Sequence, residues 1–533
     1  MDGPGEGSRP ASMGPPSPAA AAPDLSAVPR PTTAMLHPPK GTIACVIEDQ
    51  VRGHLEALRW FASATKLTGV DPSDLAVSVV GGMNTDVVRY LSAQGVRVNA
   101  ITDFDSRSPR CNKIAASLKA AEHSPEGLVI LTDSDVVFCA DPREIAVEQD
   151  SAAPALMVAG DPGHGLIPEV FAEAGVPLPD ASSPGQPPAD NGDAGVYVIP
   201  AGLIGPFARS WQHWARWLLD RWATLPESSI PVDQLAAALA SAGEGIARRQ
   251  LPPWWIASTR TLGGRPAAAG DPAILQYHGD VGPTGLLLLH GVPRIDERIE
   301  LVNKAISSVF HEAFPNATFW EWRYTTNPGL GSGVGSRGPA LDEKRALIKR
   351  VITLTAPDSV LDVGCGDGRA TEGLEIPHYH GLDVSPEAVR LTKARRPDAT
   401  VSVGTLGECF TTADLVICLD VLIHIADVAE YEELVRLLMA AAQKGLLVAG
   451  FEKRSAGLSP MTHFHEPLSA SIRRVEPRAN LIRVRDVHGV TTWLVTPEHS
   501  RPGLPFWTWP YRMGLRRLWS KGTARTTTGS VHT

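Results

Sequence analysis

The chain has 533 residues, 43% hydrophobic and 20% charged. That length predicts about two to four domains with ample apolar material for cores. A net charge of −9 gives no general attraction to nucleic acid. The six cysteines are scattered without a Cys-x-x-Cys pair, so they read as reduced thiols in apolar runs rather than a disulfide framework. No apolar run reaches the roughly 18 residues that cross a bilayer, and no basic-then-apolar leader opens the chain. The expectation is a cytoplasmic protein.

Residues 1–40 hold ten prolines and almost no aromatic or β-branched side chains, and read as a disordered tail. A strand is predicted at "GTIACVIE", then a helix over "VRGHLEALRWFASATKL", a strand at "LAVSVVGG" and a helix at "TDVVRYLSAQG". The strand "VRVNAI", the helix "NKIAASLKAAE" and the strand "GLVILTD" follow, and this alternation indicates βαβ units with a mainly parallel sheet. The run "ILTDSDVVFC" (130–139) then sets Asp133 and Asp135 inside apolar sequence. Alternation places both carboxylates on one face, where they repel unless a cation lies between them. Oxygen ligands of this kind suit magnesium or manganese. The bland reading is a polar turn.

A break falls at "NPGLGSGVGSRGPA" (327–340), with five glycines, and reads as a linker or a ligand-touching loop that places Arg337 for an acidic partner. The alternation then restarts: helix "LDEKRALIKRVITL", strand "SVLDVG", a helix, strand "HYHGLDVS", helix "PEAVRLTKARR", strands "ATVSVG" and "ADLVICLD", a helix near 428–443 and strand "GLLVAGF". In "VLDVGCGDGRAT", Gly364, Gly366 and Gly368 follow a strand and let backbone approach a ligand closely. Arg369 stands where a dinucleotide fingerprint needs its third glycine, which disfavours a nicotinamide cofactor. Asp383 ends the next strand, placed for ribose hydroxyls, and Asp420 ends "ADLVICLD" at the same edge.

This ordered set resembles the class I S-adenosylmethionine-dependent methyltransferases over residues 341–455. The resemblance implies that Asp362 and the glycine loop line the methionine and adenosine portion, with Asp383 on the ribose. Thr405 stands where many relatives carry an acid for the adenine amino group. For the base of an O-methylation, His463 and His465 in "MTHFHE" are set ahead of His424, which reads as a packed core histidine.

The first unit resembles nucleotide-sugar glycosyltransferases of the GT-A fold, glycogenin-like in the order of its pieces, over about 41–290. "NGDAGVYVIP" (191–200), "PVDQLAAAL" (231–239) and "ILQYHGD" (274–280) follow the acidic motif in order. The resemblance implies Asp133, Asp135 and His278 as ligands of Mn2+ or Mg2+ and a nucleotide sugar as donor. It puts Asn112 and Lys113 near that donor, and Asp233 or Asp193 at the anomeric carbon.

The fold class expected is α/β, with two Rossmann-like domains: a GT-A fold at 41–295 and a class I methyltransferase fold at 341–500. A linker and glycine-rich loop (296–340) joins them, and a basic aromatic tail (501–533) follows. The tail suits an anionic surface at the inner face of the plasma membrane, or docks on the second domain. The function expected is glycosyl transfer plus O-methylation of a glycan, lipid-linked or small-molecule acceptor. The alternative is a methyltransferase carrying a non-catalytic glycan-binding domain. Nucleic-acid methylation is disfavoured by the acidic balance and the missing Asn-Pro-Pro-aromatic motif.

Overall fold

The computed structural model describes residues 41–497, apart from 84, 124–125, 148–155, 159–166, 179–194, 222–231, 247, 252–254, 265–270, 455–458 and 488. The Pro/Ala-rich stretch 1–40, Asn191, Asp193 and the tail 501–533 lie outside the described residues.

The first ten strands are β1 (Gly41–Glu48), β2 (Leu75–Val80), β3 (Arg97–Ile101), β4 (Leu128–Thr132), β5 (Val136–Phe138), β6 (Leu156–Val158), β7 (Val196–Pro200), β8 (Arg248–Gln250), β9 (Ile256–Ser258) and β10 (Ile274–Gln276). Seven of them form one sheet in the order β3-β2-β1-β4-β7-β6-β8. β1, β2, β3 and β4 run parallel, and β7 pairs antiparallel with β4. The apolar runs of β1, β2 and β4 are buried on both faces, as parallel strands covered by helices require, while β3 at the sheet edge is only partly buried. Helices Asn112–His123 and Ala201–Arg221 cover one face. Helix Val51–Ala62 covers the other, where Trp60 Nε1 donates to Thr132 Oγ1 at 2.9 Å beside the start of the acidic motif. β5, β10 and β9 form a separate small sheet that carries the chain away from Asp135 and brings Ser258 and Gln276 back beside it.

The segment 296–340 is mostly helix rather than open connector. Helix Pro293–Glu312 repeats apolar residues at Ile295, Ile299, Val302, Ile306 and Val309, a spacing of three to four that makes one buried stripe. That stripe packs into the same core as Trp60 and Phe61. Helix Asn316–Thr326 follows, with Phe319 in that core and its other face toward the second sheet.

The second sheet comprises β11 (Val360–Val363), β12 (Tyr379–Asp383), β13 (Thr400–Val403), β14 (Ala413–Cys418), β15 (Ala442–Phe451), β16 (Asn480–Val487) and β17 (Val490–Thr496), in the order β13-β12-β11-β14-β15-β17-β16. The first five are parallel, and β17 is antiparallel to both neighbours. The order reverses between β11 and β14, so a crevice opens at their carboxyl ends. Helices Pro386–Arg395 and Val428–Ala441 start on side-chain caps, Ser385 accepting from Ala388 N and Asp427 from Glu430 N. One expected element is missing. Between β11 and β12 the chain runs in turns, not a helix, because Gly364, Gly366, Gly368 and Gly373 hold left-handed backbone that a helix excludes. Both units are α/β, and the chain is an α/β protein with two Rossmann-like sheets.

Candidate active sites

At the crevice of the second sheet lies a cavity of about 260 Å3. Its floor is the glycine loop. Gly364 holds φ +73°, and a Cβ there would sit 2.2 Å from the Val421 side chain, so no other residue keeps this turn against β14. Asp383, at the end of β12, accepts from Gly366 N at 2.8 Å through Oδ2 and from Ser385 N at 3.0 Å through Oδ1. Asp383 also lines the cavity, where a carboxylate can accept from hydroxyls. Burial pushes the Asp383 carboxyl up to about 6 despite these bonds. Asp362 accepts from Tyr379 Oη at 2.8 Å and is likewise raised to about 6 by burial. Asp420 holds φ +62° and takes Lys344 Nζ at 2.7 Å. Thr405 lines the cavity, while its hydroxyl and its N–H both donate to Glu408 at 2.9 Å.

The roof comes from outside the second sheet. Asn316, Trp320 and Tyr324 fall at intervals of four on helix Asn316–Thr326 and line the cavity, as do Ser332 and Ser336 of the glycine-rich loop. Arg337 Nη2 donates to Asp367 Oδ2 at 2.8 Å, Ser332 Oγ to Asp367 Oδ1 at 3.1 Å, and Tyr324 Oη lies 2.9 Å from Ser332 Oγ. Glu321 accepts from Ser385 Oγ at 2.5 Å and from Glu387 N at 3.0 Å, bracing the turn after Asp383. The loop at 327–340 is therefore fastened across the cofactor end of the cavity. None of Trp320, Tyr324, Lys344 or Glu321 carries a local motif, so the sequence offered no signal for them.

Among the three histidines, His424 lines the cavity, whereas His463 and His465 stand behind it. His424 Nδ1 lies 2.7 Å from the Met461 carbonyl, so that nitrogen carries the proton and Nε2 presents a lone pair. Burial pushes His424 down to about 4. His463 N donates to the Ile423 carbonyl at 2.8 Å, and His465 Nε2 donates to the Ile425 carbonyl at 2.8 Å. The H-x-H segment thus holds the turn that presents His424.

In the first unit, Asp133 and Asp135 stand just beyond β4. Lys113, mostly buried, contacts Asp133 Oδ1 at 2.5 Å and Asp233 Oδ2 at 3.7 Å. Burial raises the Asp133 carboxyl to about 6 even with this ammonium beside it. Asp233 is 1% exposed and its Oδ1 has no hydrogen-bond partner. Asn112 is buried and structural in its contacts, its Oδ1 accepting from Phe104 N at 2.8 Å. His278 holds φ +54°, sparsely populated for a residue with a Cβ. Its Nε2 lies 2.7 Å from Ser258 Oγ, and its Nδ1 faces Asp135 Oδ2 at 3.6 Å. Gln276 Nε2 donates to Asp135 Oδ1 at 3.2 Å. Gly195 leaves space beside Asp133 Oδ2, which a Cβ would approach to 3.2 Å.

The Asp135–His278 pair fits a divalent cation. A separation of 3.6 Å is that of two ligands on one ion, and the Ser258 contact fixes the imidazole as metal-ligating histidines are commonly fixed. Asp133 is set back on Lys113, and among the described residues no group of three or more His, Cys, Asp and Glu is placed to hold a metal.

Residues 361–445 match the family model described as a methyltransferase domain. Solved structures similar to parts of the chain include magnesium protoporphyrin IX methyltransferase from Synechocystis PCC 6803 with bound SAH, at 21% identity, covering 30% of this chain and 81% of that one with a TM-score of 0.24. Mouse xyloside xylosyltransferase 1 is similar at 12% identity over 45% of this chain and 98% of its own, TM-score 0.31. The galactosyltransferase LgtC, in complex with donor and acceptor sugar analogs, is similar at 13% over 50% and 95%, TM-score 0.33. No curated protein matches significantly. The stretch that matches the methyltransferase-domain model lies on the second sheet, from β11 to β15. No helix among the described residues is long and apolar enough to cross a membrane.

Proposed function

We propose that the chain is a bifunctional enzyme that transfers a sugar from a nucleotide-sugar donor with a divalent cation and O-methylates the glycosylated product. The observation that carries the first half is the Asp135–His278 pair, locked by Ser258, beside the buried Lys113–Asp233 contact. Asp135 and His278 would hold Mn2+ or Mg2+, which neutralises the charge of a departing nucleoside diphosphate. Lys113 supplies a second, fixed positive charge at the same place. Asp233, buried with a free oxygen, is the carboxylate for the anomeric carbon. In the second half, Asp383 would hold the ribose of S-adenosylmethionine, which supplies an electrophilic methyl group and leaves as S-adenosylhomocysteine, and His424 Nε2 would take the proton of the acceptor hydroxyl.

A second reading has a glycan-binding first unit without catalysis, and Lys113 already occupying Asp133 favours it. Thermal melting separates the two. A ligand at 100 times its dissociation constant adds about 2.7 kcal/mol to the fold that binds it. UDP, GDP or dTDP is expected to raise the melting temperature only with manganese, and Asp135→Ala to remove that shift. A shift with S-adenosylhomocysteine alone supports the binding-module reading.

Cofactor affinity should depend on pH through Asp383. Its ionised form accepts ribose hydroxyls, and its carboxyl titrates near 6. Affinity is therefore fully present above that value and lost as pH falls through it, by roughly tenfold at one unit below. Calorimetric titration of S-adenosylhomocysteine from pH 5 to 8 checks this, and Asp383→Asn should flatten the profile.

A further inference from the structure

Helix Val51–Ala62 carries a stripe of polar residues beside the Asp135–His278 pair. Arg52, Glu56 and Arg59 fall at intervals of four and three, so they share one side of the helix. Glu56 is 7% exposed, and neither half of the proposed chemistry uses its carboxylate. Both of its oxygens are committed. Oε1 accepts from Arg52 Nε at 2.7 Å, and Oε2 accepts from Ser134 Oγ at 2.7 Å. Ser134 stands between Asp133 and Asp135, so its hydroxyl anchors the acidic turn to the helix. Arg52 Nη2 in turn donates to the His278 carbonyl at 2.9 Å. Arg59 Nε donates to the Gly285 carbonyl at 2.9 Å, further along the segment that carries His278.

These contacts meet a specific need. Asp135 follows β4 and His278 follows β10, so the two side chains come from distant parts of the chain. A backbone bond from Tyr277 N to the Asp135 carbonyl at 3.0 Å joins them at one point. His278 also holds φ +54°, a conformation that persists only where its surroundings over-determine it. Ser258 fixes the imidazole ring, while Arg52 fixes the peptide that carries it. Ligands already ordered by such contacts bind a cation more tightly than ligands that must be gathered by it.

We propose that Glu56 and Arg52 are positioning residues for the cation: one buried carboxylate holds the acidic turn through Ser134 and the His278 peptide through Arg52, and so sets Asp135 and His278 at the separation of two ligands on one ion. This rests on the metal-dependent reading of the first unit. Neither residue ligates the ion. The sign of the Arg52 effect separates positioning from charge. Its guanidinium is held protonated first by the Glu56 bond and further by the Asp135 carboxylate, so its charge lies within reach of a cation on Asp135. Removing that like charge alone would tighten cation binding. Positioning requires the reverse.

The test is manganese titration of the full chain, with free Mn2+ read by electron paramagnetic resonance. The wild type is expected to bind saturably, and Asp135→Ala to abolish that binding. Arg52→Met alters a side chain that is 63% exposed, so it should fold as the wild type and weaken binding roughly tenfold. Glu56→Met, which frees both Ser134 and Arg52, should weaken it at least as much. Glu56→Gln keeps an oxygen for Arg52 and an amide for Ser134, and should stay within about threefold of wild type. The assignment is overturned if Arg52→Met binds manganese as tightly as the wild type or more tightly. A glutamine variant as weak as Glu56→Met also overturns it, because the loss then follows the missing charge and not the missing bonds. A wild type that does not bind manganese would instead sink the metal-dependent reading itself.

Discussion

Replacing His424 by alanine is expected to slow methyl transfer by roughly 10²- to 10⁴-fold, the usual worth of a positioned general base. Cofactor affinity should stay within about twofold, because the imidazole sits at the Trp320 end of the cavity rather than on Asp383 or the glycine loop. The Met461 carbonyl holds the proton on Nδ1, so Nε2 is always the basic atom. Burial sets the group near 4, so the neutral form is complete across the physiological range. The acid limb of the rate should therefore lie well below the 6.5 of a free histidine. Between pH 5 and 8 the wild-type rate at saturating cofactor should be nearly flat. Single-turnover formation of S-adenosylhomocysteine reads both quantities. A His424→Ala rate within threefold of wild type would remove the base from this mechanism. His465→Gln should cost less, since its side chain only holds the Ile425 carbonyl of the turn, and His463→Gln leaves in place the backbone N–H that bonds the Ile423 carbonyl.

The motifs that were legible are those whose parts are contiguous. "VLDVGCGDG" places strand, loop and carboxylate in one stretch, so Asp362, Gly364 and Gly366 could be read directly, and Asp383 follows from strand spacing. Asp133 and Asp135 were visible as a charge interruption in an apolar run. Their partners were harder to find, because Ser258 and Gln276 arrive through a second, small sheet that pairs β5 with β10. The roof residues Trp320 and Tyr324 belong to a helix that reads as linker, since its apolar side chains divide between the first core and the cavity rather than marking one stripe. The helix expected after Gly368 failed for a local reason: four left-handed glycines outweigh the helix-forming residues among them. His424 looked like core because its neighbours Leu422, Ile423 and Ile425 are core. Only its carbonyl partner and its place on the cavity distinguish it from them.

Lys113→Met is expected to be among the most destabilising single changes in the first unit, by about 3 kcal/mol, because it strands the buried Asp233 and the partly buried Asp133. Lys113 is the cation between Asp133 at 2.5 Å and Asp233 at 3.7 Å. Methionine nearly preserves the volume, so the loss reports charge rather than a cavity. Its pH dependence has a definite sign. The ammonium now holds the Asp133 carboxyl down, and removing it moves that group above its present value of about 6. A carboxyl whose folded pKa exceeds its unfolded value binds more protons when folded, so the variant loses stability as pH rises from about 4 through that folded value. The gap from wild type should be widest above neutrality and shrink toward pH 5. Urea unfolding across this range measures it. Adding Asp133→Asn to Lys113→Met should restore roughly half the loss by removing the nearer carboxylate. A double variant as unstable as the single one would assign the damage to packing. Manganese offers a further contrast: if the cation sits on Asp135 and His278, it cannot replace an ammonium at Asp133, and adding it should leave Lys113→Met unrescued.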